Sequence, residues 1–299
     1  MKINRLGAID IGLNSVKLLI SDVINVKGKI VYKQSVFIHV PLKLGEDIFK
    51  LGYISEIKKD KLADSIKTFI SFIHIYDVEA WRICCSSSMK EAANIKQVIK
   101  QLSQKGNEIS LLSPAEEAYL LLLNFDRNIL ENNKMYIVAD VGGGGTEISI
   151  LFKNEKPVSE FFKLGTIRTL DRAEEREEWN RLNQWIGEKR NSCRNVVLVG
   201  ADGNITKLNS LFRKRGKIKK HDFSSLYCRL SSMNMESRLL DSELSINRAE
   251  VIIPAMKIYL HLMKLLKVME IRIPIVGLSD GIVRSLYHNL YLSPTGDKS

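Results

Sequence analysis

The sequence predicts a duplicated α/β fold, two related lobes facing a shared inter-domain cleft, and three observations carry that prediction. The first is a pair of similar strand–turn–strand segments. Leu6 to Ile20 carries Asp10, Gly12, Asn14 and Ser15 around its turn, and Met135 to Ile150 carries Asp140, Gly142, Gly144 and Gly145 at matching places. The second is that each segment opens a half of the chain that begins with strands and returns through alternating helices and strands. The third is length: 299 residues suffice for two domains, each with its own core. The lobes are assigned to 1–124 and 125–299, with a hinge near 124–133.

In the first lobe, Lys29 to Val40 reads as a third strand after the hairpin, and Lys43 to Asp47 as a polar loop. From Ser55, an N-cap residue, Leu62, Ile66, Phe69 and Ile73 recur at helical spacing. Val78 to Cys85 reads as a strand, and Ser86–Ser88 as the cap of a helix running through Lys90, Ala93 and Val98. Glu108 to Leu112 is a short strand. Pro114 then sits in the first turn of a helix over Ala115 to Leu123.

The second lobe repeats this order. Strands are predicted over 135–139, 146–152 and 158–164, then a polar helix over 168–189 and a strand over 195–199 that ends in a second glycine turn, Gly200 to Gly203. His221 to Leu244 is polar and weakly patterned, which predicts short helices with a mobile loop. Arg248 to Met269 is the strongest helix, 271–276 a strand, 280–290 a closing helix, and 293–299 a frayed tail.

Composition bounds the function. Hydrophobic residues make up 45% and charged residues 26%, ordinary for a soluble globular protein. No apolar run approaches the roughly 20 residues that span a bilayer, and Met1 to Leu6 lacks the apolar core of a signal peptide. A cytoplasmic protein without a membrane partner is expected. Four cysteines, with Cys84 and Cys85 adjacent in a strand, read as reduced core residues rather than a disulfide framework or zinc site. The net charge of +11 favours polyanions: nucleic acid, a phosphate-rich metabolite or polyphosphate. The cations are dispersed, with a local run over 213–220, and no nucleic-acid-binding signature accompanies them, so no specific nucleic acid is expected. A solvated basic face or the steering of an anionic substrate remain.

The richest stretch is Ala139 to Glu147, Ala-Asp-Val-Gly-Gly-Gly-Gly-Thr-Glu. Successive glycines let the backbone approach a ligand and turn its N–H groups toward one point, which suits a phosphate. Asp140 at the mouth of that turn suits a cation or a water. An ordinary hairpin loop is the alternative, and recurrence of the pattern at Asp10 to Ser15 favours the phosphate cradle. Glu116 and Glu117 lie where negative charge stabilises a helix N-terminus, and a carboxylate near a phosphate can also activate water.

These segments together resemble the exopolyphosphatase / guanosine pentaphosphate phosphohydrolase (Ppx/GppA) family, in its short two-domain form. The matching blocks are Ala8 to Ser15, Ser113 to Ala118, Asp140 to Glu147, Leu164 to Arg168, Gly200 to Thr206, Arg248 to Ala255 and Asp280 to Arg284, collinear over nearly the whole chain. The resemblance implies the actin-like ATPase (ribonuclease H-like) fold in both lobes. It also implies hydrolysis of a terminal phosphoanhydride bond, in inorganic polyphosphate or at the 5′ end of guanosine pentaphosphate, assisted by Mg²⁺. On this reading Glu117 is the general base and Lys90 a second catalytic group. Asn14, Ser15, Gly142, Gly143, Gly144, Gly145 and Thr146 bind phosphate, and Asp10, Asp140 and Glu147 hold the metal. A homodimer is also implied.

Three positions depart from the family's pattern. Leu13 and Gly145 stand where serine is usual, and Lys90 where arginine is. Lysine keeps the charge but not the planar two-pronged grip, and the other two changes remove hydroxyl groups. A catalytically weak polyphosphate or nucleotide sensor is therefore an alternative, as is an ATP-dependent enzyme of the same superfamily with an adenosine pocket near Gly200 to Gly203.

Overall fold

The computed structural model describes residues 2–103, 108–125, 130–132, 134–153, 155–168, 172–190, 195–212, 216–241, 243–274 and 277–292. The chain forms two compact units, Met1–Phe125 with Gly277–Ser299, and Asp126–Val276. The expected division at 124/125 thus needs a correction at the far end, because the closing helix returns to the first unit.

Unit 1 is built on β1 (Lys2–Ile11), β2 (Val16–Val26), β3 (Lys29–Val40), β4 (Ala80–Cys85) and β5 (Ile109–Leu111). They lie in the order β3-β2-β1-β4-β5. The first three strands are antiparallel, and β4 and β5 add in parallel beside β1. Nearly every residue of β1 from Leu6 onward is buried, the continuous apolar pattern of a strand covered on both faces. On one face lies α2 (Glu56–Ile75), which buries Leu62, Ile66, Phe69 and Ile73 as the spacing required. On β1 also packs α10 (Leu278–Tyr287), followed by a π-helical turn over His288–Leu292. Ile282, Val283 and Tyr287 join Leu6, Ala8 and Leu120 in one core cluster. Its neighbour is α4 (Pro114–Leu122), and the two helices meet backbone to backbone at Gly281. A Cβ there would lie 1.9 Å from the Leu120 carbonyl oxygen, so only glycine fits.

Two local expectations fail here. The polar loop at 43–47 is the start of a helix, α1 (Leu44–Leu51). Leu44 and Ile48, one turn apart, bury their side chains, each adding about 2 kcal/mol. Gly52 ends the helix in the left-handed region at φ 80°. The single helix expected from Ser86 is two pieces, a 3-10 turn (Ser87–Glu91) and α3 (Ile95–Ser103). Ala92 between them is extended, and Asn94 exchanges both of its amide hydrogen bonds with the backbone of Ile54.

Unit 2 repeats the plan with β6 (Met135–Val141), β7 (Thr146–Leu151), β8 (Val158–Phe162), β9 (Val196–Gly200), β10 (Lys217–Lys219) and β11 (Glu270–Arg272). The order is β10-β11-β9-β6-β7-β8. Read from the hairpin edge, β8-β7-β6-β9-β11 mirrors β3-β2-β1-β4-β5, and the registers agree. Asp10 stands opposite Lys17 and Ile11 opposite Val16; Asp140 stands opposite Glu147 and Val141 opposite Thr146. The duplication read from two turns therefore extends through both sheets.

Helices α5 (Arg172–Arg190), α6 (Gly203–Leu211), α7 (Lys220–Ser232), α8 (Met235–Asp241) and α9 (Ile246–Leu265) complete the unit. The weakly patterned stretch is largely regular, because Phe223, Leu226 and Leu230 bury one face of α7. Part of the basic run forms the edge strand β10, with only Ile218 buried; positions 213–215 lie outside the described residues. So do parts of the hinge (126–129 and 133), the end of the strand expected over 271–276, and the tail 293–299. Helix α9 is buried along most of its length, with Tyr259, Met256 and Leu262 fully enclosed. Among the described residues no helix is long and apolar enough to cross a membrane.

Candidate functional site

In unit 1 the ends of β1 and β4 meet the first turn of α4. The turn between β1 and β2 is closed by Gly12 N–H donating to the Ser15 carbonyl at 3.0 Å. It is buttressed by α1, whose Lys43 and Gly45 N–H groups donate to the carbonyls of Asn14 and Leu13 at 2.9 and 2.8 Å. Leu13 is buried at 4% exposure and packs as a core side chain. Ser15 is buried as well, and Asn14 Oδ1 is enclosed without a hydrogen-bond partner. A buried polar atom without a partner costs about 1–3 kcal/mol, and because this one is an amide oxygen the partner it lacks is a donor, which a bare phosphate does not supply.

The two glutamates of α4 separate cleanly. Glu116 closes a capping box: its Oε2 accepts from Ser113 N–H and Oγ, each at 2.7 Å, while Ser113 Oγ accepts from Glu116 N–H. These bonds hold its carboxyl below the usual range. Glu117 points inward and accepts the Ser87 N–H at 2.8 Å, at the start of the 3-10 turn. Burial pushes its carboxyl up; the Ser87 bond opposes that, the charge of Asp10 adds to it, and Lys17 subtracts. A carboxylate with raised basicity, fixed by one N–H, has the properties of a general base.

Lys90 is exposed on the 3-10 turn, and its charge acts on Glu116. Asp10, 3% exposed, is ion-paired through Oδ2 with Lys17 Nζ at 2.9 Å, and Ser279 Oγ stands 3.5 Å from the same oxygen. Next to Asp10 in the sheet, Cys84 and Cys85 are buried free thiols, with Cys84 pushed up to about 12 by burial. The core placement expected of the cysteines holds for these two; Cys228 is exposed.

In unit 2 the four-glycine turn is closed in the same way, Gly142 N–H to the Gly145 carbonyl at 2.9 Å. None of its glycines takes a positive φ. Their carbonyls are engaged by the segment after β8: Thr166 N–H donates to Gly142, and Ile167 and Arg168 N–H to Gly143, at 3.0–3.2 Å, while Arg168 Nε donates to Gly144. At Gly145 a Cβ would meet the Phe161 ring at 2.2 Å and the Phe162 carbonyl at 2.5 Å. The residue is glycine because β8 lies against it. Thr146 is fully buried and donates its hydroxyl to the Leu164 carbonyl at 2.6 Å. It ties the start of β7 to the segment after β8. Asp140 and Glu147, directly opposite in register, share a face of the hairpin.

One buried network went unread in the sequence. Asp202 caps α6, with Oδ1 accepting from Asn204 and Ile205 N–H, and Oδ2 accepting from Val141 N–H at 3.2 Å and lying against the Tyr259 hydroxyl. Tyr259 also reaches the Ala139 carbonyl at 3.0 Å. Asn204 Nδ2 donates to the Val141 carbonyl at 3.2 Å, and Arg248 Nη1 donates to Asn204 Oδ1 at 2.7 Å. Burial pushes up both the Asp202 carboxyl and the Tyr259 phenol, so the phenol keeps its proton. The end of β6, and with it Asp140, is anchored by this network. An Asp-Gly after a strand was the available signal; Arg248 opened one of the matching blocks with nothing to name its partner, and Tyr259 gave no signal, because α9 is apolar around most of its surface.

The Ppx/GppA phosphatase family model matches residues 38–290, most of the chain. The chain belongs to the Ppx/GppA phosphatase family. It is 26% identical over 272 residues to a bifunctional 3-dehydroquinate synthase/phosphatase of Fusobacterium nucleatum, an alignment covering 82% of this chain and 39% of that protein. It is 23% identical over 183 residues to exopolyphosphatase 2 of Mycobacterium tuberculosis, covering 58% and 56%. The chain thus spans well under two thirds of the length of these relatives. The fold is that of a Cytophaga hutchinsonii exopolyphosphatase, with TM-score 0.78, 21% identity and coverage of 98% and 100%. It is likewise that of the Aquifex aeolicus Ppx/GppA family member, with TM-score 0.73, 18% identity and the same coverage. Ppx/GppA membership and the two-lobe α/β fold are therefore as the sequence predicted.

The donor set for a divalent metal differs between the units. Among the described residues no cluster of three ligating side chains occurs. Asp10 already has its charge matched by Lys17, which counts against it as a direct ligand. Asp140 and Glu147 place two carboxylates opposite each other. That fits Mg²⁺, which keeps most of its waters and takes one or two carboxylates together with substrate phosphates.

Proposed function

We propose that this Ppx/GppA member hydrolyses the terminal phosphoanhydride bond of inorganic polyphosphate. The observation that carries the reading is Glu117, held by the Ser87 N–H at the mouth of α4 with its basicity raised by burial. Water attacks the terminal phosphorus, Glu117 takes its proton, and the bridging P–O bond breaks. Orthophosphate leaves, and the shortened chain keeps the bridging oxygen. The turns bind phosphate through the backbone N–H groups not used in closing them, at Asn14 and Ser15 and at Gly143 to Gly145, with Asn14 adding its amide, and Lys90 meets the anion as a point charge. Mg²⁺, held by Asp140 and Glu147, would neutralise phosphate charge. The net charge of +11 supports a polyanionic substrate.

A second reading, a weakly active sensor, is favoured by the packing of Phe161 where a side chain at position 145 would stand. Phosphate release from long-chain polyphosphate, guanosine pentaphosphate and ATP, each with and without Mg²⁺, decides between them. Mg²⁺-dependent release from polyphosphate is expected. Release from guanosine pentaphosphate alone would overturn the substrate assignment, and tight polyphosphate binding without release would establish the sensor.

A further inference from the structure

Unit 2 holds a cavity of about 340 Å³ behind the glycine turn, walled by the segment after β8, the start of α5 and the middle of α9. Its size is at the lower end of small-molecule sites. Lys163, Arg168 and Lys257 line it against a single carboxylate, Glu175. Trp179 and Pro254 give it a flat apolar wall.

The indole is held in place rather than loosely packed. Its Nε1 donates to Glu175 Oε1 at 3.1 Å, and the His261 ring lies 4.3 Å away, itself within 2.7 Å of Asn183 Oδ1. Lys257 Nζ sits 6.0 Å from the indole centroid and 2.8 Å from Glu175. That ion pair is more than a third exposed on both sides. Such pairs hold little energy, so an incoming anion can share the lysine cheaply.

A bare orthophosphate or a linear polyphosphate would satisfy the cations and leave the Trp179–Pro254 wall wet. An apolar metabolite would cover the wall and leave three cations facing it. We propose that this cavity binds a phosphate carried on a flat ring, a ligand of the nucleoside monophosphate class, with the ring on Trp179 and Pro254 and the phosphate among Lys163, Arg168 and Lys257. The inference stands independently of the hydrolytic reading, because the cavity is built by unit 2 alone, Glu117 does not line it, and binding is read without turnover.

Calorimetric titration of the whole chain with AMP, GMP, orthophosphate and tripolyphosphate tests it. A nucleoside monophosphate is expected to bind saturably with Kd below about 1 mM. The Lys163→Ala/Lys257→Ala double variant, at exposed positions and with an unchanged Tm, is expected to bind it about tenfold or more weakly. Orthophosphate at equal concentration should give no saturable heat. Absence of nucleotide binding, equal affinity in the double variant, or tripolyphosphate binding that depends on the same lysines while nucleotides do not bind would each overturn the proposal.

Discussion

At the helix start that follows one of its parallel strands, β5 in unit 1 and β9 in unit 2, each unit carries a carboxylate that accepts from backbone N–H, and the two are housed differently. In unit 1 Glu117 reaches over from α4 to one N–H, that of Ser87, and is only partly buried. In unit 2 Asp202 caps its own helix, accepts three N–H groups, lies against a phenol, and is 8% exposed. Burial raises the pKa of both. Raised basicity therefore does not distinguish a base from a brace. What distinguishes them is how many bonds already use the oxygens, and whether water can reach them.

The largest test of this contrast is Glu117→Gln. It keeps the shape and removes the proton acceptor, so phosphate release should fall roughly 10²–10⁴-fold with Tm unchanged. Persistence of wild-type rates would end the assignment. Asp202→Ala should do the reverse, costing about 3 kcal/mol of stability by leaving three buried N–H groups without their acceptor. The shift in urea midpoint measures it, and a stable variant with lost activity would contradict a bracing role.

Gly145→Ser comes next. Its Cβ would enter the Phe161 ring and the Phe162 carbonyl, an overpacking cost of about 1–3 kcal/mol. Adding Phe161→Ala should recover part of the loss by urea denaturation, and only part, since the other obstacle is backbone. Glu117 must be ionised to act, so the acid limb of the rate profile should lie above the ordinary carboxylate range. Lys17 lowers that pKa, and Lys17→Met should move the limb further up; a downward move would contradict the electrostatics. The smallest effect belongs to Glu116→Ala. Loss of the capping box should cost about 1 kcal/mol and leave the rate intact, separating two neighbours that look alike in sequence. Because the Glu116 carboxyl is held low, its contribution is present at neutral pH and fades as pH falls through that lowered value.

Much of this was legible in the chain. The Asp-x-Gly hairpins disclosed the duplication because a tight turn between two strands has few sequence solutions, and Pro114-Ala115-Glu116-Glu117 marked a helix start by its own chemistry. The contents of the turns were harder to read. Four glycines suggest a phosphate cradle and equally a surface on which another strand lies; only the placement of Phe161 and Arg168, many residues later, shows the second. Lys17 as the partner of Asp10 follows from register, which a turn length sets but a sequence does not print. Tyr259 and Arg248 sit on a helix buried nearly all round, where periodicity carries no signal about which polar residue faces what. Helix α1 was missed because its two buried apolar side chains, Leu44 and Ile48, are too few to show a period.

The contact between Gly281 and Leu120 has a consequence for biosynthesis. Unit 1 is assembled from segments on either side of unit 2, and α4, which carries Glu117, has its neighbour α10 encoded after unit 2. Domains made first ordinarily fold first on the ribosome. Here the unit begun first cannot close until unit 2 has been synthesised, so the helix bearing Glu117 acquires its final support only after the whole of unit 2 has been made.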